Sequence, residues 1–492
     1  MLRCFILAIL ALRLFCLSLA QAVDVANTTQ NDVAIYQKIY QEMQQTTQEF
    51  HQLGNNDKFK LLISDPAQRI DKQFKISPYF QDAVSFWFKI YSFYDSSFAV
   101  IHDREYLDLV YASLNFSELK DTSLRQFIQR GLQEQFAAEK LLEIKRSLTT
   151  LGRTGRASND LEKDIITKIK AYPLKIPKTA LAKKDFYQNL AANARLQTGL
   201  HDHFREGLQR YFPYQTALTA YFKNFNMPPE LLAISFVESS FNPKAQSFVG
   251  ALGIWQFMPK IGRHFLPMTK DIDGRKNPLL ATLGALHLLQ ENYQIFKRWD
   301  LAISAYNSGT KHLLLAKKKV QNINRQQQKK FGKKAKLLVP DLATLLQNYD
   351  HPHLGFASKN YYSEFLAMQW SLAYREQLFV NLPQKTKDYG MVNVYLTCQS
   401  MSWEKIKKWH STMKELNNHI APTTQNLNQG TIILSNQPLP APQFMLVPDD
   451  IQRRFRPVRW VKALQKEQRW CNQLPSPPGQ ERAASPTNQP AL

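Results

Sequence analysis

Pro228-Pro229-Glu230-Leu231-Leu232-Ala233-Ile234-Ser235-Phe236-Val237-Glu238-Ser239-Ser240-Phe241-Asn242-Pro243 begins as a helix and stops as one. Proline fits the first turn of a helix, and an acid there suits the helix dipole. The run from Leu231 to Val237 is apolar on nearly every face, which predicts a buried helix. Glu238 stands four residues after Ile234 and seven after Leu231, so it shares their face. The helix must end near Phe241, because Asn242 precedes a proline. A carboxyl at the end of a buried apolar helix loses solvation, and its pKa rises. A carboxyl that stays protonated near neutral pH can serve as a general acid. Taken alone, the segment fits a satisfied structural glutamate better than a catalytic one.

The residues that follow carry more chemistry. Ala245-Gln246-Ser247 leads into Gly250-Ala251-Leu252-Gly253-Ile254-Trp255-Gln256-Phe257-Met258-Pro259, and about fifty residues on comes Ala305-Tyr306-Asn307-Ser308-Gly309. Gly250 and Gly253 let a backbone approach a ligand where a Cβ would clash. Trp255 and Tyr306 offer flat apolar faces with polar edges, suited to pyranose rings and acetamido groups. Gln256 and Asn307 donate and accept, as sugar hydroxyls and amides require. Trp255, with Leu252 and Ile254 as apolar neighbours, reads more readily as a core residue than as a ligand face, and Tyr306 and Asn307 could merely finish a helix that stops at Gly309.

Together, Glu238-Ser239, the Gly-Ile-Trp-Gln block and the Ala-Tyr-Asn block closely resemble the goose-type lysozyme and soluble lytic transglycosylase family, in the family's order. Residues 196–228 and 360–367 are most similar to the membrane-bound lytic murein transglycosylase D group. The resemblance is strong over 195–375, weaker over 70–120 and thin beyond 380. It implies that Glu238 is the catalytic acid and that Ser247 contacts an N-acetyl sugar. It further implies that Gln256 and Met258 line the glycan groove, that Tyr306 hydrogen-bonds near the catalytic carboxyl beside Asn307, and that Tyr361 closes the site.

The pattern departs from the family in places. Gly274, in Asp271-Ile272-Asp273-Gly274-Arg275, stands where relatives often carry an acid, which predicts a looser surface turn. Ala357 and Ser358 replace an acid and a threonine ahead of Tyr361. Residues 311–356 form a Lys-rich insertion, read either as a grip on anionic groups or as a solvated loop. Residues 392–434 faintly resemble a degenerate LysM module, a β-α-α-β peptidoglycan-binding unit, through Val394, Trp403, Ile406, Leu416-Asn417 and Gly430-Thr431-Ile432-Ile433. An unrelated small α/β appendage fits as well. No His/Cys/Asp cluster has metal-ligand spacing, His351-Pro352-His353 falls on a loop, and no phosphate-binding glycine loop occurs. No metal and no cofactor are implied.

Outside this centre, Met1-Leu2-Arg3, an apolar run over 5–19 and Ala20-Gln21-Ala22 read as a secretory signal peptide covering 1–22. An uncleaved anchor is the rival, weakened by Arg13. Phe15 before Cys16 argues against lipidation. Cys398 and Cys471 would remain after cleavage, an even number in an oxidising compartment, compatible with one disulfide or two thiols. The 492 residues carry a net charge of +23, which calls for an anionic partner. Export makes nucleic acid an unsuitable one. It leaves peptidoglycan glycan strands and, second, an anionic membrane surface, with the number of copies in the assembly unspecified.

The expected architecture is mainly α. A helical region and connector span 23–194, with helical spacing at Phe86, Ile90 and Phe93 and at Leu107, Val110 and Tyr111. Breaks are expected at Gly152, Gly155, Pro173 and Pro177. A lysozyme-like helical catalytic domain follows over 195–380, then a small C-terminal α/β LysM-like module over 390–435 and a disordered Pro-rich tail over 474–492. The function that the resemblance implies is non-hydrolytic cleavage of the β-1,4 bond between N-acetylmuramic acid and N-acetylglucosamine in the periplasm, leaving 1,6-anhydromuramic ends. The alternatives are a hydrolytic goose-type muramidase and a non-catalytic cell-wall-binding protein.

Overall fold

A computed structural model of the chain describes residues 59–471, apart from 61, 66, 121, 123, 173, 380–381 and 383–384. The expected leader over 1–22 and the tail over 474–492 lie outside the described residues. Those described divide into two units, one of Ser97–Asp103 with Leu109–Gln197, the other of the remainder. No helix among them is long and apolar enough to cross a membrane.

The first unit is not purely helical, as the sequence had suggested. Strands β1 (Phe98–Asp103), β2 (Val110–Asn115) and β3 (Ala194–Thr198) form a sheet in the order β2-β1-β3. β1 and β2 are antiparallel, with Phe98 opposite Asn115 and a register shift at Ile101/His102. Every residue of β1 is buried, so no polar alternation marks it as a strand. Val110 and Tyr111, placed on a helix by their spacing, lie on β2. The expected break at Gly152 is also absent. Gly152 sits inside the long helix Gln126–Thr154. A Cβ there would come within 3.2 Å of Tyr187 Cβ and Lys184 O on the helix Ala180–Asn193, so glycine serves close helix packing. Gly155, at φ +70°, is the residue that ends the helix.

The second unit is built around the helix Pro278–Phe296, buried over almost all its faces. Asn277 caps its start by accepting from Leu279 N and Leu280 N. The same side chain donates to Leu416 O at 2.7 Å, tying the helix to the C-terminal region. The helices Gln81–Ser92 and Phe356–Ala373 join through Ser92 and Ser371, whose hydroxyls lie 2.9 Å apart.

At the C-terminal end β4 (Asn393–Thr397) pairs antiparallel with β7 (Ile432–Ser435). Between them come β5 (Met401–Ser402), the short helices Trp403–Ile406 and Met413–Leu416, and β6 (Asn426–Leu427). Trp403, Ile406, Met413 and Ile433 share one small core. Asn417, buried, donates to Leu434 O and accepts from Leu434 N, both at 2.8 Å. The sheet takes a third strand beyond residue 435, β8 (Phe444–Leu446), on the other side of β4. Cys398 and Cys471 form a disulfide across a sequence separation of 73 with Cα atoms 5.6 Å apart. By loop-closure entropy a link of that span contributes about 4 kcal/mol.

Candidate active site

Pro229–Leu232 make a 3-10 turn, and the α-helix proper runs Ala233–Ser239, with Ala233, Ile234, Ser235 and Phe236 buried. The chain reverses directly after Glu238. Ser240 and Phe241 both take the left-handed conformation, at φ 50° and 52°, a costly choice for residues with a Cβ. Burial holds them there: Phe241 is fully buried, with its ring 5.5 Å from those of both Phe236 and Tyr211. Ser240 O accepts from Arg210 at 3.0 Å. A Cβ on Gly207 would sit 2.6 Å from that carbonyl, so only glycine lets the two segments meet.

This reversal leaves Glu238 at the end of an apolar helix, half-buried, with protein around its carboxyl. Burial raises its pKa from 4.5 to about 7, and a hydrogen bond from Tyr361 opposes the rise. Tyr361 donates to Glu238 Oε1 at 2.6 Å from the buried face of the helix Phe356–Ala373. Tyr306, at the end of the helix Trp299–Ser308, donates instead to Trp255 O at 2.6 Å. Burial and then the charge of Glu238 push both phenols up, so each stays a donor.

Trp255 is wholly buried and gives its indole N–H to Thr282 at 2.9 Å. It is a core residue whose carbonyl positions Tyr306, and its ring is not a sugar platform. Asn307 is exposed and accepts from Ser358 at 2.9 Å. The Oγ of Ser247 accepts from Ala251 N at 2.9 Å, which shapes the loop. Gln256, at φ 46°, donates to Ala245 O and Gly253 O. Met258 is exposed just ahead of the helix Pro259–Phe265. Thus Glu238 and Tyr361 are in direct contact, Tyr306 stands within electrostatic reach of them, and Ser247, Gln256 and Met258 belong to one folded loop.

That loop depends on a residue that sequence reasoning passed over. Arg275 donates to Gly250 O at 3.0 Å and Phe257 O at 3.1 Å. Its other nitrogens hold Asp273 at 3.0 and 2.8 Å. Gly253, at φ +78°, lies so close to Arg275 O that a Cβ would sit 1.9 Å from it. The expectation of a loose surface turn at Gly274 is therefore wrong. Gly274 is buried, and its N–H bonds Pro267 O at 3.0 Å. The isolated sequence hid this because both carbonyls that Arg275 serves are backbone atoms.

A second carboxylate was also missed. Glu364 lies one helical turn after Tyr361 and accepts from Tyr91, whose phenol is pushed up by burial, by Glu364 and by the charge of Glu238. Its i, i+3 spacing from Tyr361 was the available signal. Of the acids within 238–309, Asp273 is held by Arg275, Asp300 by Arg298 at 2.9 Å and Glu291 by Arg456. Among the described residues no set of His, Cys, Asp or Glu is arranged to hold a metal.

With this geometry in view, comparison with known families matches residues 217–329 to the one described as Transglycosylase SLT domain. Residues 217–329 are a transglycosylase SLT domain. The SLT domain thus holds Glu238, the Gly250–Pro259 loop, Arg275 and Tyr306, while Tyr361 and Glu364 lie beyond its matched end. The chain is 34% identical over 132 residues to membrane-bound lytic murein transglycosylase D of Escherichia coli (strain K12), a match covering 24% of this chain and 29% of that protein. It is 36% identical over 87 residues to the transglycosylase of Enterobacteria phage PRD1, covering 18% of this chain and 31% of the phage protein. The matches thus span under a third of the length of these relatives.

Proposed function

We propose that this chain is a lytic murein transglycosylase that acts on peptidoglycan glycan strands. The observation that carries the reading is Glu238: a carboxyl with its pKa near 7, held by Tyr361, inside an SLT domain. At neutral pH much of it is protonated, so it can protonate the oxygen that leaves C1 of N-acetylmuramic acid as the β-1,4 bond breaks. The acetamido oxygen of the same sugar stabilises the electron-poor C1. Glu238, now a carboxylate, takes the proton of the C6 hydroxyl, and that oxygen closes on C1. The bond lost is C1–O4, the bond gained is C1–O6, and no water enters. One carboxyl acting as acid and then base follows glycosidase logic.

Tyr361 orients the carboxyl and supports its anionic form. Tyr306 and the loop of Ser247, Gln256 and Met258 form the groove wall on this reading, with the exposed Phe248 as an apolar rim. The small C-terminal α/β module over 390–435 adds a second contact with glycan, and the place of action is the periplasm.

One observation favours a second reading, hydrolysis. Glu364 is a nearby carboxylate that could activate water, although the Tyr91 hydroxyl occupies it. The reading as an enzyme is tested by Glu238→Gln, which keeps the shape and removes the proton. Turnover of purified sacculi should fall by about 10²–10⁴-fold with binding retained. A folded Glu238→Gln chain with undiminished turnover would defeat it.

A further inference from the structure

Between Asp300 and Asp341 the chain has no acidic residue, and over 301–340 it has ten basic ones: nine lysines between Lys311 and Lys336, and Arg325. The helix Thr310–Phe331 carries most of this charge. At 22 residues it is about 33 Å long. Leu313, Ala316 and Val320 are its buried residues, spaced as one stripe. The opposite stripe, at spacings of three and four, is exposed: Lys311, Leu315, Lys318, Asn322, Arg325 and Lys329, with Leu314 beside it. After Gly332, at φ +57°, the chain turns back. Asn324 fastens the returning strand, donating to Leu338 O at 2.8 Å and accepting from Leu338 N at 2.7 Å. No residue of 311–336 takes part in a salt bridge among the described residues. Asp350, which feels Lys319, is paired with Lys359 at 3.0 Å.

The apolar residues of this hairpin are what select its partner. Leu314 and Leu315 are each 43% exposed, Phe331 53%, Leu337 50% and Val339 59%. They lie among the lysines, with Lys330 against the Phe331 ring. An acidic peptide would satisfy the charges and leave this apolar surface in water. A lipid surface takes both, since headgroups pair with lysines while leucine and phenylalanine enter the acyl boundary.

We propose that the hairpin 310–339 docks on an anionic lipid surface and holds the catalytic unit against it. This is independent of the role of Glu238. The test is cosedimentation of the full chain with vesicles of phosphatidylcholine alone or mixed with phosphatidylglycerol. Any binding through residues 1–22 is common to all variants, so the quantity read is the excess on the anionic vesicles. The wild type should show a clear excess that added salt removes. The quadruple change Lys311→Gln, Lys318→Gln, Lys329→Gln and Lys330→Gln should lower that excess on the order of a hundredfold. The charge-preserving triple change Leu314→Ser, Leu315→Ser and Phe331→Ser should lower it about tenfold. Both variants touch exposed residues away from Glu238 and should digest sacculi at the wild-type rate. No excess in the wild type, or an excess unchanged in both variants, overturns the proposal. Loss of sacculus binding by the lysine variant, with vesicle binding intact, overturns it in favour of acidic peptide stems.

Discussion

The Tyr361 hydroxyl donates to Glu238 Oε1 at 2.6 Å, across 123 residues of sequence. It joins the end of one short helix to the second turn of the longer helix Phe356–Ala373, and it favours the charged form of a carboxyl that burial would otherwise keep neutral.

Tyr361→Phe should therefore raise the Glu238 pKa above its value of about 7. The loss of activity at alkaline pH, where the acid is ionised, should move to higher pH by up to about one unit. The rate should also fall about tenfold, because the carboxylate formed after proton donation loses its donor. The pH dependence of kcat/KM on a soluble glycan fragment reads both effects. An unmoved alkaline limb would mean that another group sets it.

Glu238 should cost stability at neutral pH. Its folded pKa of about 7 exceeds the ordinary 4.5. Below 4.5 it is neutral in both folded and unfolded chains and has no effect. As pH rises from there to 7 the unfolded chain ionises first, so stability is lost, fully so above 7. Glu238→Gln removes that loss. The variant should match the wild type at acid pH and exceed it above 7 by on the order of 1–3 kcal/mol, allowing for partial solvent access. Denaturant melts across this range decide it, and a constant difference at all pH values would contradict the assigned pKa.

Arg275 should matter as much as the groove residues it supports. Arg275→Met leaves Gly250 O and Phe257 O without their donor and Asp273 without its cation, at a cost of about 2–4 kcal/mol. On the proposed function KM for glycan should rise more than kcat falls, because the loop would shape the groove and not move protons. Arg275→Lys should restore only part of the stability, since an ammonium cannot reproduce the fork. Equal Tm and KM in wild type and Arg275→Met would show that the loop stands without it.

The sequence made some of this legible and concealed the rest for physical reasons. Glu238 was readable because the proline start, the apolar run and the Asn-Pro stop all point to one helix end. The strands around Val394 and Ile432, with helix between them, were readable from their apolar blocks, but β5, β6 and β8, two or three residues each, were too short to show. β1 was not, because Phe98–Asp103 is buried along its length and shows no alternation. Gly152 misled because a glycine that relieves helix crowding looks like one that ends a helix. Tyr306 was expected to hydrogen-bond near the carboxyl, and its acceptor, Trp255 O, was not legible because a backbone carbonyl has no side-chain signature. Arg275 and Glu364 escaped notice because their partners, backbone carbonyls and Tyr91, are distant in sequence or carry no side-chain signature.

On the proposed mechanism the glycan strand is cut without water. Digest purified sacculi with the purified full chain and weigh the released disaccharide peptides by mass spectrometry, for the wild type and for Glu364→Gln. Each cut should leave a 1,6-anhydromuramic end, lighter by one water than a hydrolytic product and without a reducing end. Glu364→Gln should leave that product unchanged, with turnover within about tenfold, because transglycosylation needs no second carboxylate. Reducing N-acetylmuramic ends as the main product, abolished by Glu364→Gln, would contradict the claim and make the protein a hydrolase.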